Sequence, residues 1–210
     1  MRRAVVGLAA CALLLGGGSA LAARKDKKPP PRECTTDHNT LPVTNLELLL
    51  AKKKGIVVFN EKSPCLTREG QPPLPAAVLE LPKFETPYVL RIESMISGSF
   101  VMPRVEMLGA DGSVTRVIDA ASFKKRTSVV SVDVFMKAEH AGETRVLLFP
   151  DPAEIGKSEQ RTVMGMQGTY VYTGTWYAGS DTTQNLQQVD EGRITVRLVG
   201  DAWDEKGRRK

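Results

Sequence analysis

Two histidines and a few nearby acids are the residues of this chain best suited to acid–base or metal chemistry. His38 and His140 are far apart in the sequence, Glu139 precedes His140 in a polar turn, and Asp190 and Glu191 are adjacent. Motifs that place a nucleophile, zinc or a phosphate, such as Gly-x-Ser-x-Gly, His-Glu-x-x-His and a glycine-rich phosphate loop, do not occur. A hydrolase would need two facing carboxylates in a dry cleft, and these acids lie beside turns. The sequence therefore predicts a protein that is not an enzyme, with no catalytic residue, metal site or cofactor.

A cluster of aromatic residues is the better candidate for a site. Four of the chain's twelve aromatic residues lie close together, at Tyr170, Tyr172, Trp176 and Tyr177. Residues 169–178 read as one strand, on which Tyr170, Tyr172 and Trp176 share a face and Tyr177 lies opposite. Tyr and Trp rings have a polar edge and favour half-wet surfaces, so this face predicts a ligand-binding platform that stacks on sugar rings. The alternatives are an aromatic sandwich core, or an edge strand with a bulge at Gly174.

Two cysteines remain once the first residues are set aside, Cys34 and Cys65. An even pair in an exported protein predicts a disulfide, because the compartment is oxidising. In the chain-entropy model that bridge contributes about 3–4 kcal/mol to stability. The pair lacks the spacing of a redox or zinc motif, so its role is structural.

Alternating strands must position these residues, and the clearest ones lie in the segment 86–121. Apolar and polar residues alternate over 87–96 and again over 100–108, where Val101, Pro103, Val105 and Met107 fall on one face. Asp111-Gly112 then predicts a hairpin turn into a strand at 114–118. Period-two patterning of this kind predicts an antiparallel sheet that is wet on one side and packed on a second layer.

One helix is predicted over 41–55. The expected capping box joins Thr44 to Glu47, the hydrophobic staple joins Val43 to Leu48, and Gly55 ends the helix. Its buried stripe consists of three leucines, Leu46, Leu49 and Leu50.

Further strands complete an all-β pattern. They are expected at 56–59, 77–81, 127–137, 143–149 and 192–199, with Val130, Val132, Val134 and Met136 pointing inward in the longest of them. Residues 151–157 predict a short helical turn, either one short helix or a turn, that starts at Asp151-Pro152, and 181–190 reads as a polar loop. The pattern predicts a mainly β protein, an antiparallel β-sandwich of jelly-roll type with one short N-terminal helix.

The N-terminus has the pattern of a cleaved export signal. A basic start is followed by an apolar run, and small residues before Ala22 predict cleavage after that residue, hence a periplasmic protein. The apolar run is too short for a membrane anchor, so we expect no transmembrane segment after its removal. The predicted organisation is a signal peptide at 1–22, a basic, Pro-rich linker at 23–40, a disulfide-tied helix-strand segment at 41–75, a β-sandwich at 76–200 and a basic tail at 201–210.

Charge is unevenly distributed along the chain. The formal net charge is +5, yet residues 29–205 carry 19 basic and 23 acidic side chains, because the basic excess lies in the two ends. A nucleic-acid-binding protein needs its basic residues clustered on a folded face, so nucleic acid is not an expected partner.

Residues 80–158 contain three distinctive runs: the alternating strand before Ser97, Phe-Val-Met-Pro-Arg-Val-Glu-Met-Leu at 100–108, and Arg-Val-Leu-Leu-Phe followed by Asp-Pro-Ala-Glu-Ile-Gly-Lys-Ser at 145–158. In these runs the chain resembles the maltose operon periplasmic protein family. This resemblance implies an exported periplasmic accessory of maltodextrin-type carbohydrate uptake, with no enzymatic residues to carry over. The expected partner is a carbohydrate. The alternative is a structural or interaction module of the cell envelope, whose partner is an envelope protein or peptidoglycan.

Overall fold

Strands make up most of the secondary structure in the computed structural model, which describes residues 34–171 and 174–203. The mainly β prediction is confirmed. These residues contain one α-helix, α1 (Leu46–Lys53), and three short 3₁₀ turns, at His38–Thr40, Ala120–Ser122 and Ala138–His140. None of their helices is long and apolar enough to cross a bilayer. The expected signal peptide lies outside the described residues.

Sixteen strands are described. In chain order they are β1 (Cys34–Thr35), β2 (Val43–Asn45), β3 (Ile56–Phe59), β4 (Cys65–Leu66), β5 (Leu74–Pro75), β6 (Ala77–Glu80), β7 (Tyr88–Met95), β8 (Ser99–Phe100), β9 (Pro103–Gly109), β10 (Val114–Ile118), β11 (Lys124–Lys125), β12 (Val129–Met136), β13 (Glu143–Pro150), β14 (Ser158–Val171), β15 (Gly174–Gln188) and β16 (Gly192–Val199).

Two five-stranded sheets form most of the structure. Sheet I has the order β10-β9-β13-β6-β2, and sheet II has the order β11-β12-β7-β16-β3. All neighbours in them are antiparallel except the parallel pair β2 and β6. Two three-stranded sheets, β1-β4-β5 and β14-β15-β8, are smaller additions. A single hydrophobic cluster contains residues of both large sheets, among them Val105 and Val146 of sheet I and Ile92 and Val196 of sheet II.

Sheet II has one buried face and one wet face, as the alternation predicts. Along β7, the side chains of Tyr88, Leu90 and Ile92 are buried and the residues between them are half-buried. Along β12, the four residues expected to point inward are all buried, at Val130, Val132, Val134 and Met136. Apolar residues at every second position leave the strand only one stable orientation against a core.

The central strands of sheet I, β9 and β13, are buried on both faces over most of their length, so the prediction of a wet face is wrong for them. The expected strand at 100–108 is broken into β8 and β9, and in β9 Glu106 and Leu108 are as buried as their neighbours. A second cluster covers the outer face, formed by Leu41, Leu66, Leu74, Ala76, Val78, Leu108, Leu147 and Phe149. The uninterrupted apolar run at 146–149 was the signal for this, because a strand buried on both sides does not alternate.

The N-terminal segment supplies this cover and is held by a disulfide. Cys34 and Cys65 are joined, which confirms the predicted bridge, and they face each other in the parallel pair of β1 and β4. Residues 34–40, expected to be part of a linker, form β1 and a 3₁₀ turn. Residues 41–75 contribute an edge strand to each large sheet, β2 to sheet I and β3 to sheet II.

The predicted helix is confirmed, but its caps differ in detail. Asn45, and not Thr44, is the N-cap, since its side chain accepts a hydrogen bond from the Leu48 N–H. Val43 and Leu48 are exposed and form no buried staple, whereas the predicted stripe of Leu46, Leu49 and Leu50 is buried. An Asn side chain caps better than Thr, which explains why the helix begins one residue later. Lys54 adopts the left-handed conformation at the C-cap before Gly55.

The predicted short helix or turn at 151–157 is found as a turn, whereas the predicted loop at 181–190 is wrong. Residues 151–157 form a turn without a helix: the Glu154 N–H bonds the Asp151 carbonyl, the Asp151 carboxylate accepts from the Ala153 N–H, and the turn ends at Gly156 with positive φ. The expected loop at 181–190 is strand up to Gln188, within β15. Residues 181–185 face solvent, and this part of the strand therefore shows no apolar alternation.

Candidate binding site

The predicted aromatic strand is in fact part of a hairpin. Tyr170 lies in β14, and Trp176 and Tyr177 lie in β15, so the single strand expected over 169–178 is wrong. Tyr170 pairs with Thr175, and Trp176 pairs with Thr169. The fourth predicted site residue, Tyr172, lies outside the described residues. A platform built from three residues of one strand is therefore not the arrangement found.

This hairpin, β14 with β15, is a long two-stranded element that we call the arm. Its ladder runs without a register shift from the pair Ser158–Gln187 to the pair Val171–Gly174. At ~3.4 Å per residue, a strand of this length spans about 45 Å. Residues 181–185 are exposed, so this part of β15 lies in solvent.

The base of the arm is fixed to the rest of the protein. Gln187 and Gln188 pair in parallel with β8, and the side chain of Leu186 is buried in the shared core. Glu159 of β14 accepts a hydrogen bond of 2.8 Å from Lys125, which extends from β11. Apolar anchoring, backbone pairing and an ion pair thus all hold the first rungs of the arm.

The middle of the arm differs in composition from the rest of the chain. No charged residue and no histidine occurs between Arg161 and Asp181, in a protein in which a quarter of the residues are charged. No proline occurs anywhere in residues 158–188. Met, Val, Thr, Tyr, Trp and Gly dominate this uncharged segment. Sequence reasoning singled out only the aromatic part of this segment. The absence of charge over all of residues 162–180 was the signal that would have marked the whole segment as unusual.

The histidines and acids considered for chemistry have structural surroundings. His38 Nε2 lies 2.8 Å from the Gly112 carbonyl oxygen and so ties the first 3₁₀ turn to the β9–β10 turn. His140 accepts a 3.4 Å hydrogen bond from the Lys137 N–H, and its ring is 3.7 Å from the Glu139 carboxylate. Among the described residues, no group of three His, Cys, Asp or Glu side chains is placed to hold a metal ion.

A buried carboxylate that sequence reasoning missed is Glu106. Its side chain is 3% exposed and accepts hydrogen bonds from Arg68 at 2.5 and 2.8 Å and from Arg104 at 3.3 Å. Burial opposes its ionisation, but the hydrogen bonds and charges of the two arginines outweigh burial and place the pKa of Glu106 below its ordinary value. The Arg68 guanidinium also lies 4.7 Å from the centre of the Phe149 ring. This group fastens the N-terminal layer to sheet I.

A second buried acid lies at the start of β13, the central strand of sheet I. Glu143 of β13 accepts hydrogen bonds from Arg116 at 2.6 Å and from Thr115 at 3.2 Å, both on β10. Tyr88 lies close enough to feel this charge: burial and the Glu143 carboxylate raise the pKa of Tyr88 to about 12. The hydroxyl therefore stays protonated at all physiological pH values, and this group is structural.

The wet face of sheet II has a shallow groove of about 340 Å³. Arg91 donates two hydrogen bonds across the strands to Asp133, at 2.6 and 2.9 Å, and Phe135 is exposed beside them. The bonds from Arg91 are the largest cause of the lowered pKa of Asp133. Because the central arginine and acid bind each other, the groove is less suited to a charged ligand than its composition suggests.

Comparison with known proteins adds no relative. No protein-family model matches the chain, and no match was found among the curated proteins or the solved structures. The resemblance of residues 80–158 to the maltose operon periplasmic family stays a prediction. The function must be inferred from the arm and the body that carries it.

Proposed function

We propose that this chain is an exported, non-enzymatic binding protein of the cell envelope, whose arm holds a partner chain. In this proposal the two large sheets stack as a β-sandwich of jelly-roll type, which is the rigid body of the molecule. The residues that predict export are the apolar run and small residues of 1–22. Of the two functions expected from the sequence, the interaction module is the one that the geometry favours.

The observation that carries the proposal is the length of the arm beyond its base. A two-stranded hairpin without further strands or a covering layer is marginally stable in water. The described neighbour of the arm in its sheet is β8, which pairs with Gln187 and Gln188 only. Strands with free backbone groups bind extended segments of other chains by adding a strand to the sheet. An arm of this kind gains a stable environment when a partner chain pairs with it.

The charged residues of the body support a binding role more than a catalytic one. Glu106 and Glu143, the two buried carboxylates of sheet I, are each neutralised by arginine. Catalytic acids usually have a raised pKa in a dry pocket, whereas the pKa of Glu106 is lowered. These ion pairs join the N-terminal layer to sheet I and β13 to β10, and so have structural roles.

Cross-linking in the producing cell tests the proposal. A photoreactive amino acid at Gln167, in the uncharged part of β14, should give adducts of discrete mass after illumination. The matched control is the same amino acid at Glu61, an exposed position in the β3–β4 turn. Adducts from 167 and none from 61 support the arm as the binding element. No adduct from either position, or equal adducts from both, contradicts it.

Carbohydrate binding in maltodextrin-type uptake is the second candidate. It is favoured by the grouping of Tyr170, Trp176 and Tyr177 in neighbouring rungs of the ladder, at the end farthest along it from β8. Titration of a Trp203→Phe variant with maltodextrins would leave Trp176 as the sole tryptophan reporter. A saturable change in fluorescence supports glycan binding, and an unchanged spectrum with every glycan rejects it.

A further inference from the structure

The edges of the arm stand apart from the other sheet edges of the described chain. The two large sheets end in short strands of two to five residues, β2, β3, β10 and β11. On one side the chain passes from edge β2 to edge β3 through α1, and on the other it passes from β10 to β11 through a 3₁₀ turn. The arm offers strands of 14 and 15 residues. Association through long strand edges therefore has to involve the arm.

The arm lacks the features that usually protect a free edge. Proteins block edge pairing with charged residues, proline, bulges or very short strands. Here the ladder has no register shift, residues 158–188 contain no proline, and 162–180 contain no charged residue. An exposed strand edge without these features is suited to pair with another strand.

The two edges of the arm differ in how free they are. β15 is already paired with β8 at Gln187 and Gln188, so part of its outer edge is occupied. β14 has β15 as its single strand neighbour among the described residues. The outer edge of β14 is thus the longer uninterrupted one.

We propose that β14 pairs in antiparallel orientation with β14 of a second copy of this chain, giving the strand order β15-β14-β14-β15 across the two copies. The inference rests on the proposed function of the arm and names its partner. This pairing would convert two marginally stable hairpins into one four-stranded sheet, and sheets of three or more strands can be stable.

The distribution of charge along β14 makes a second copy a suitable occupant, because the strand can pair with itself without bringing like charges together. Identical strands meet without like-charge repulsion only if their charged residues do not face each other. With the two-fold axis at Gly165, Arg161 of one copy lies opposite Thr169 of the other, and Glu159 lies opposite Val171. Every pair within 162–168 then joins two uncharged residues. With this axis, residues 159–171 of the two copies pair with each other, and no two like charges lie opposite one another.

Single cysteines placed on matched rungs test the pairing in the full exported chain with its Cys34–Cys65 bridge intact. On β14 the substitutions are Met164→Cys, Gly165→Cys and Met166→Cys. The controls are Asp181→Cys, Ser180→Cys and Gly179→Cys, which occupy the same three rungs on β15. Residues directly opposite in an antiparallel pair have Cα atoms about 4.5–5.5 Å apart, within the range that a disulfide bridges.

The expected result is a disulfide-linked dimer on a non-reducing gel for at least one β14 position and none for the β15 controls. The unsubstituted chain should have twice the monomer mass in sedimentation, and a chain lacking residues 163–182 should be monomeric. A monomeric unsubstituted chain without cross-links from β14 overturns the inference, as does cross-linking confined to β15. If position 167 is photo-cross-linked only to a different protein, the proposed function of the arm stands and self-pairing is overturned.

Discussion

Glu106 shows how a single carboxylate makes this protein dependent on pH. Its folded pKa is lower than its ordinary value of 4.5, so it contributes stability above that value, and the contribution is lost as the pH falls through the folded pKa. The charge is buried between two arginines, and protonation would leave those cations facing a neutral acid. Acid should therefore loosen the contact between the N-terminal layer and sheet I.

We expect Glu106→Gln to lower the free energy of unfolding by about 1–3 kcal/mol at neutral pH, because a buried charge pair loses one partner. The difference from the wild type should shrink as the pH falls through the lowered pKa of Glu106, because the wild-type carboxylate is then protonated as well. Urea unfolding across this pH range measures it. The matched control is Glu159→Gln, whose bridge to Lys125 is exposed and should contribute less than about 1 kcal/mol. Equal pH dependence of the difference for both variants would contradict the assignment.

Gly55 is a residue where the backbone leaves no room for a side chain. It has a φ of +72°, and a Cβ there would lie 2.0 Å from the Val196 carbonyl oxygen, which belongs to the backbone of β16. Gly70 has nearly the same φ, +70°, with nothing within 4 Å of its Cβ position. The pair separates the cost of the left-handed conformation from the cost of the clash.

Both alanine variants should lose about 1 kcal/mol from the left-handed conformation. Gly55→Ala should lose several kcal/mol more, because α1 and β16 must separate to relieve the overlap. Thermal or urea unfolding of the two variants gives the comparison. Similar losses for Gly55→Ala and Gly70→Ala would show that α1 adjusts without strain.

At the scale of elements, the disulfide holds the layer that covers sheet I. The bridge closes a sequence separation of 31 residues, and the chain-entropy model gives about 3–4 kcal/mol for it. A double variant, Cys34→Ser with Cys65→Ser, should lose about that much stability. In this double variant, amide hydrogen exchange should be accelerated relative to the wild type more strongly in β1, β4 and β5 than in β7 or β12. A reductant should lower the stability of the wild type and leave that of the double variant unchanged. If the midpoint of wild-type unfolding did not change in reductant, apolar contacts alone would hold the layer.

Elements that face the shared core were the ones that the sequence predicted well. β3, β10 and β16 have the predicted bounds, and β7 and β12 differ by one or two residues at their ends. In β7 and β12 the burial pattern has a period of two, which the residue types repeat directly. Helix α1 was also found, because its leucine stripe and its lysine-rich end are both local signals.

The arm and the outer layer were not predicted, for different physical reasons. Residues 181–185 of β15 are exposed and carry no apolar alternation, and Gly174, which the sequence suggested as a bulge, is the first residue of β15. The outer layer depends on Leu41, Leu66 and Leu74 meeting Phe149 across long sequence distances. No local pattern contains that information. The ion pair of Arg68 with Glu106 was missed for the same reason, although a lone Glu in an apolar strand was a hint.

At the scale of the whole molecule, the two large sheets differ in how their outer faces are used. Phe149 of sheet I is 2% exposed under the N-terminal layer, whereas Phe135 of sheet II is 56% exposed. Replacing each phenylalanine by alanine therefore compares the contribution of the covered outer face of sheet I to stability with that of the open face of sheet II.

We expect Phe149→Ala to lower the free energy of unfolding by about 3–5 kcal/mol, since it leaves a cavity and removes the ring below Arg68. Phe135→Ala should change it by no more than about 0.5 kcal/mol. Urea unfolding at neutral pH gives both values. Comparable losses would mean that the open face of sheet II is covered in solution, and a small loss at Phe149 would mean that the outer layer repacks.

The return of the arm to its starting point has a consequence for the order of assembly. β13 and β16 lie in different sheets and are separated by the whole arm, but Ser158 and Gln187 are paired at its base. Once the arm has formed, these two residues are side by side, and the effective loop between β13 and β16 shrinks from the 41 residues of 151–191 to the 13 of 151–158 and 187–191. Loop closure costs more entropy as the loop lengthens, so the zipped arm lets β16 enter the middle of sheet II quickly. The arm thus also hastens the completion of sheet II, the last sheet to receive a strand.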